Sequence, residues 1–214
     1  RISYTPKWRV ILAADYGVPQ LRERLFVVAT RGGNGFLFPE RTHARQDECN
    51  GLFYYEPYVP TGDVLKGLGK PDEKIHGKTL YSRIDSHVDV TPPRDRERIS
   101  QVPEGSFLAA QKHLGIDLRR GLTSKDTTKY LRLHRKRPAN TLRCGEIFYH
   151  PTKDRYLTPL EYKRLHGYPD DSTLFPDHFR YIRTIEYSRG TGNSQNNRRT
   201  WSRPGKVSAR NCFT

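Results

Sequence analysis

Gln20, Arg22 and Arg24 stand at every second position of the stretch "QLRERLFVVAT". In an extended strand side chains alternate between faces, so the three long polar groups are expected to line one side. A guanidinium is permanently charged, planar and multidentate. The row therefore presents one amide and two strong donors at the mouth of a run, Leu25 to Ala29, that is apolar on both faces. Such a run reads as a strand covered on both sides.

The other residue types able to do chemistry are less well placed. Cys49 follows Glu48, Cys144 follows Arg143 and Cys212 follows Asn211. The count is odd and no Cys-x-x-Cys pair occurs, which argues against a disulfide framework or a zinc site and points to a reducing cytoplasm. The stretch "PDEK" at 71–74 is a faint match to a metal-dependent nuclease signature through Asp72 and Lys74. It has no evident strand to present its carboxylates and reads as a solvated loop. "GTGN" at 190–193 is too short for a dinucleotide fold, since no third Gly follows.

The elements that must hold the arginine row come next. Residues 8–14, "WRVILAA", predict a strand, and Asp15, Gly17 and Pro19 supply the turn into the returning strand. A hairpin this apolar needs more sheet or helix to cover it. Residues 32–95 are rich in Gly, Pro, Asp and His and predict loops with short strands. Residues 106–114 predict a short helix, capped by Ser106 and ended by Gly115. Residues 157–169 predict a better-defined one. Thr158 and Glu161 form a capping box, Pro159 takes the first helical position, and Leu157 and Tyr162 stand where a hydrophobic staple would. Gly167 and Pro169 then end it. From residue 189 apolar residues thin out and disorder is expected.

Charge bounds the partners. Across 214 residues the formal net charge is +15, with 34% hydrophobic and 29% charged residues. The basic residues run along the whole chain, which favours a folded basic surface and a polyanionic partner. The densest basic segment spans 116–136; there Lys125, Lys129 and Arg132 are candidate DNA contacts. No apolar run approaches the ~20 residues of a bilayer span. Position 1 is Arg and Met is absent, so the sequence reads as a piece of a longer chain.

"DYGVPQLRERLFVVATR" resembles the Gln-x-Arg-x-Arg motif of bacterial cytosine-5 DNA methyltransferases of restriction-modification type. "RPANT" at 137–141 resembles their Arg-Pro-x-x-Thr motif. "HPTKDRYLTPLEYKRLHGYPDD" at 150–171 is similar to the helix block before their last motif, and "GNS" at 192–194 to the start of that motif. The order is the family's, with the gap between the first two motifs where the family carries its target recognition domain. "RISQVPEGSF" resembles a stretch that many members hold within that gap.

The resemblance implies an α/β fold. It would be the remnant of a Rossmann-like S-adenosylmethionine-dependent methyltransferase domain, a terminal antiparallel hairpin and C-terminal helix, plus a small irregular recognition domain. The implied layout is 1–31 for catalytic-domain strands, 32–136 for target recognition, 137–188 for the return to the catalytic domain, and 189–214 for an aberrant or disordered tail. In such enzymes a cytosine is flipped from the duplex. A Pro-Cys thiolate attacks carbon 6, a Glu of a Glu-Asn-Val motif engages the ring nitrogen, and carbon 5 takes the methyl group of S-adenosylmethionine. By resemblance Arg24 donates to the ring carbonyl as it gains charge, Arg22 holds the DNA backbone and active-site loop, and Gln20 bonds near the pocket. Arg137 reads as structural, organising the base of the recognition domain, and Asn193 and Ser194 would help hold the cofactor.

The sequence also departs from the pattern. Gln195 to Arg198 follow "GNS" where members continue into an apolar helix, and no Pro-Cys, Glu-Asn-Val or Phe-x-Gly-x-Gly occurs. The resemblance then implies the C-terminal part of a methyltransferase, inactive alone, with double-stranded DNA and a missing N-terminal part or partner subunit as its partners. Its role would be to protect a specific DNA sequence from a cognate restriction endonuclease. A small subunit of a naturally split methyltransferase, a non-catalytic DNA-binding module and a nuclease built on Asp72 and Lys74 stand as alternatives. No membrane or metal partner is expected.

Overall fold

The computed structural model describes residues 3–32, 35–49, 54–73, 87–115, 118–120, 122–123, 125–126, 128–143 and 146–172. The expected tail, with Asn193 and Ser194, lies outside them, as do Lys74, Cys144 and Cys212.

The hairpin is present. Strand β1, Tyr4–Leu12, pairs antiparallel with β3, Glu23–Arg31, in a continuous register from Tyr4 opposite Arg31 to Leu12 opposite Glu23. Ala13 and Ala14, expected in the strand, instead open a 3-10 turn over Ala13–Tyr16 that Gly17 ends at φ +80°.

The returning strand is not continuous, which corrects the sequence expectation. Gln20–Leu21 form a separate strand, β2, and the Arg22 N–H turns back onto the Gln20 carbonyl at 3.0 Å. This two-residue return is a tight turn. Its cause is a change of partner: β3 pairs with β1, whereas β2 runs parallel to residues 139–140, well over a hundred positions later.

Between hairpin and core lie short elements. Strand β4, His43–Ala44, pairs parallel with β5, Glu56–Pro57. Helix α1 spans Thr61–Val64. Strand β6, Asp72–Glu73, pairs parallel with β7, Val88–Asp89. Asp72 therefore does sit on a strand, contrary to expectation, although a very short one. Helix α2, Pro93–Ser100, went unread in the sequence despite Pro at its start and Asp95 in its first turn.

The helix expected at 106–114 is also corrected. Only Leu108–Ala110 form a 3-10 turn. Phe107 is extended and bridges Leu131, and the Leu108 N–H donates to the Tyr130 carbonyl. The Gln111 amide donates to Ser106 Oγ and to the Phe107 carbonyl, taking two groups that helix formation would need.

The C-terminal elements build the core. Strand β8, Leu131–Arg132, precedes β9, Ala139–Asn140, and β10, Phe148–Tyr149. Strand β10 pairs parallel with β8, and β9 with β2. Helix α3 spans Pro159–Leu165 with its capping box formed as expected: the Glu161 N–H donates to Thr158 Oγ1, and the Thr158 N–H to the Glu161 carboxylate. Leu157 and Tyr162 are both buried, and Gly167 follows at φ +80°. A single hydrophobic cluster gathers Val88, Ile99, Leu108, Leu133, Phe148 and Leu165, among others. The arrangement is mixed α/β with small sheets.

Candidate active site and DNA interface

The row of three donors separates into a buried amide and two outward guanidiniums. Gln20 is fully buried. Its Nε2 donates to the Leu165 carbonyl and to His166 Nδ1, both at 3.2 Å, and its Oε1 accepts from the Leu142 N–H at 3.4 Å. All of the amide's principal bonding capacity is thus spent inside the protein. Gln20, expected to bond near the pocket, is turned inward by the break in the strand at Arg22, so the three groups of the row do not share one outward face.

Gln20 stitches together three sequence blocks. Its own strand pairs with β9, Gln20 opposite Ala139 and Leu21 opposite Asn140. The Ala139 N–H donates to the Pro19 carbonyl, and the Thr141 hydroxyl to the Leu21 carbonyl. Leu165 and His166 come from the end of α3. Arg137 contributes its backbone, accepting from the Thr61 N–H and donating to the His134 carbonyl, while its side chain is exposed.

Arg22 and Arg24 lie beyond this stitch. Arg22 is half-buried; burial and then the like charge of Arg24 press its guanidinium below the usual arginine range. Arg24 is exposed, stands opposite Ile11, and donates to the Glu23 carbonyl at 2.6 Å. Among the described residues neither arginine makes an ion pair. Leu25 does point away from Arg24, as strand alternation requires, but with Trp8, Val10 and Val27 it is 56–71% exposed. Among the described residues the apolar packing expected around Leu25 is not found.

The three candidate DNA contacts differ in fate. Lys125 is exposed. Lys129 is also exposed but its Nζ donates to Asp126 at 2.7 Å, and that bond draws the Asp126 carboxyl down to about 2. Arg132 is buried, which corrects its assignment. Its guanidinium donates to the carbonyls of Ile99, Val102 and Pro151 and to the Asp154 carboxylate, all at 3.0 Å. A side chain so occupied reaches no phosphate.

Sequence reasoning missed a basic cleft of about 1180 Å³. Lys66 and Lys70 line one part of it, Arg135 and Lys136 another, and Lys153 a third. Its floor includes His150 and the Arg155–Glu161 pair, whose oxygens and nitrogens meet at 2.6 and 2.8 Å. Gly62 brings α1 against the Arg135 loop: its N–H bonds the Arg135 carbonyl, and a Cβ there would fall 2.7 Å from that oxygen. Arg164 ties α3 to the same wall through the Val64 and Lys66 carbonyls. These lysines are scattered over some ninety positions, so no local run of charge announced the cleft.

The family model of C-5 cytosine-specific DNA methylases matches residues 1–194. The chain belongs to this family. Type II methyltransferase M.SacI of Streptomyces achromogenes is 39% identical over 93 residues, covering 42% of this chain and 23% of that protein. M.NgoFVII of Neisseria gonorrhoeae is 31% identical over 189 residues, covering 85% and 44% respectively. M1.HphI of Haemophilus parahaemolyticus is 28% identical over 173 residues, covering 80% and 41%. The chain spans less than half the length of each of these relatives.

Cytosine-5 DNA methyltransferases act on DNA and use S-adenosylmethionine, and the residues in hand can be tested for a fit to that cofactor. Asn193 and Ser194 lie outside the described residues. The left-handed glycines Gly67 and Gly69 follow a helix and lead into a strand, the reverse of the strand–loop–helix order that cradles a nucleotide. Gly67 and Gly69 therefore form no such cofactor loop. Among the described residues no group of three or more His, Cys, Asp or Glu could hold a metal ion, and no helix is long and apolar enough to cross a membrane.

Proposed function

We propose that this chain is the C-terminal part of a DNA (cytosine-5-)-methyltransferase of a restriction-modification system, one that methylates a specific duplex sequence. In this reading the chain grips target DNA and supplies Arg24 to the reacting base. The nucleophilic Cys and most of the S-adenosylmethionine site belong to a portion outside this sequence. The single observation that carries the reading is the Gln20 stitch, which brings the Gln-x-Arg-x-Arg segment, the Arg-Pro-x-x-Thr segment and the end of α3 into hydrogen-bond contact.

In this reading the stitch braces the site. It anchors one end of the arginine row to rigid elements, and β3 carries the other end, so Arg22 and Arg24 project from a braced backbone. When a thiolate adds to carbon 6 of a flipped cytosine, the ring carbonyl gains negative charge. The exposed Arg24 guanidinium, which makes no ion pair among the described residues, would donate to it. Arg22, beside it, would hold the DNA backbone or a neighbouring loop. Lys125, Lys129 and the cleft lysines Lys136 and Lys153 would hold phosphates.

The exposed face of Trp8, Val10, Leu25 and Val27 supports a partner surface within the same enzyme. Burying a side chain of this kind stabilises by about 1.5–3 kcal/mol, so a covered hairpin is strongly favoured over a bare one. This weighs against a free-standing DNA-binding module. It suits equally a single-chain enzyme and the small subunit of a split one, located in either case in the cytoplasm.

The test is reconstitution. The chain alone, incubated with labelled S-adenosylmethionine and mixed-sequence duplex, should transfer no methyl group. Combined with a Pro-Cys-bearing N-terminal portion of the same family, encoded in frame or beside it, it should methylate DNA. Methyl transfer by the chain alone, or none by the combination, would overturn the reading.

A further inference from the structure

The end of α3 docks on residues 18–22 at successive points. A Cβ on Gly167 would lie 3.3 Å from Val18 Cγ1, so the helix terminus is already in close approach there. Gln20 meets the Leu165 carbonyl and His166 Nδ1. Arg22 lies close enough to interact electrostatically with both His166 and Tyr168. His166 thus stands between the buried amide and the first arginine of the row.

The amide fixes the chemistry of the ring. Gln20 Oε1 is held by the Leu142 N–H, so Nε2 is the end that faces the helix. Nε2 carries only N–H donors, so His166 Nδ1 must accept, and the ring proton must sit on Nε2. We propose that His166 is a positioning residue for the arginine row: as a neutral, Nδ1-accepting ring it locks the Gln20 amide and thereby the backbone turn that aims Arg22 and Arg24. This rests on the methyltransferase reading for its consequence in catalysis, though not for its geometry.

Protonation would undo the lock. A charged ring offers two donors and no acceptor, so it would oppose the Gln20 N–H. It would also face the charge of Arg22, the charged group that acts on it from the β2–β3 junction; the 139–142 segment brings the Leu142 N–H to Gln20 and the uncharged Thr141 hydroxyl to Leu21. Burial and that arginine push the ring down to about 4, so the neutral form prevails at neutral pH.

The experiment has two arms. In the chain labelled with 15N-histidine, His166 should show the Nε2–H tautomer and titrate near 4, well below the ordinary 6.5. A ring protonated on Nδ1, or one titrating at the ordinary value, would overturn the proposal and leave the methyltransferase reading untouched. In the reconstituted enzyme, His166→Leu removes the acceptor and should lower turnover about tenfold or more through misplacement of the arginines. DNA affinity should fall as well, though by less than turnover, because Arg22 is misplaced along with Arg24. His166→Gln supplies a neutral acceptor oxygen that cannot titrate. It should restore turnover and flatten the acid limb of the pH profile. Unchanged turnover in His166→Leu, or no rescue by Gln, would sink the proposal. If His166→Leu fails to fold, the tautomer and the Gln variant still decide. No methyl transfer by the wild-type combination would instead count against the functional reading alone.

Discussion

The Thr141 hydroxyl donates to the backbone carbonyl of Leu21 at 2.6 Å, joining residues 120 positions apart. The bond sits beside the short β2–β9 pair and helps hold it, since two residues of parallel strand carry little ladder of their own.

Thr141→Val keeps the shape and removes the donor. An intramolecular hydrogen bond of this kind contributes about 0.5–1.5 kcal/mol net. Chemical denaturation should therefore show a midpoint shift of that size with an unchanged slope. A variant as stable as the parent would mean that water replaces the hydroxyl at no cost.

What the sequence revealed follows from the range of each interaction. Helix α3 was legible because Thr158, Pro159, Glu161 and Gly167 all act within a few residues of one another. The hairpin was legible for the same reason. The inward turn of Gln20 was not, because its partners, Leu142 and Leu165, lie 122 and 145 positions away. Arg132 sat in a basic run and shared its composition with Lys125 and Lys129, yet burial depends on where Ile99, Val102 and Pro151 place their carbonyls. The cleft was invisible because its walls come from four separated segments.

Arg132 and the cleft lysines should therefore behave oppositely. Lys136→Ala with Lys153→Ala should reduce the slope of log affinity against log salt by about two, one for each lost phosphate contact. Fold stability should hold, since both side chains are exposed. Arg132→Ala should leave the buried carbonyls of Val102 and Pro151 without their donor, at ~3 kcal/mol or more of stability. Filter binding across a salt series and denaturation of each variant check both halves. A slope unmoved by the lysine pair would place the phosphate track elsewhere.

Stability should fall in mild acid. Burial pushes both His150 and His166 from 6.5 down to about 4. His150 Nδ1 accepts from the N–H groups of Thr152 and Lys153, so its neutral form is also the one that is bonded. Between pH 4 and 6.5 the unfolded chain binds these protons and the folded chain does not, so stability rises with pH across that window. Each shift corresponds to roughly 3 kcal/mol in order of magnitude. Glu161 and Asp95 lie below the usual carboxylate range because hydrogen bonds and charge from Arg155, and from Tyr156 and Arg120, outweigh burial. They add stability above the ordinary carboxylate range and lose it as pH drops further. Thermal midpoints measured from pH 7 to 4 should decline throughout, and His166→Gln should remove part of the decline above pH 4. A flat profile over that range would show that neither ring is held neutral by the fold.

Arg24 carries the sharpest expectation. It is exposed, opposite Ile11 near the turn end of the hairpin, donates to the Glu23 carbonyl and makes no ion pair among the described residues. Removing it disturbs no buried network, so Arg24→Ala should fold as the parent does. In the reconstituted enzyme it deletes a charged donor needed as the cytosine ring becomes anionic. Loss of such a donor costs about 3 kcal/mol, or about a hundredfold in rate. The loss should fall on turnover, with DNA affinity changed far less, because the interaction strengthens only as charge develops. Arg22→Ala should differ: with His166 and Tyr168 near it, its loss should weaken positioning and DNA affinity together. Single-turnover methylation and equilibrium DNA binding on the two variants separate these outcomes. Turnover of Arg24→Ala within about a factor of two of the parent, the size of effect a surface ion pair gives, would remove Arg24 from the reaction.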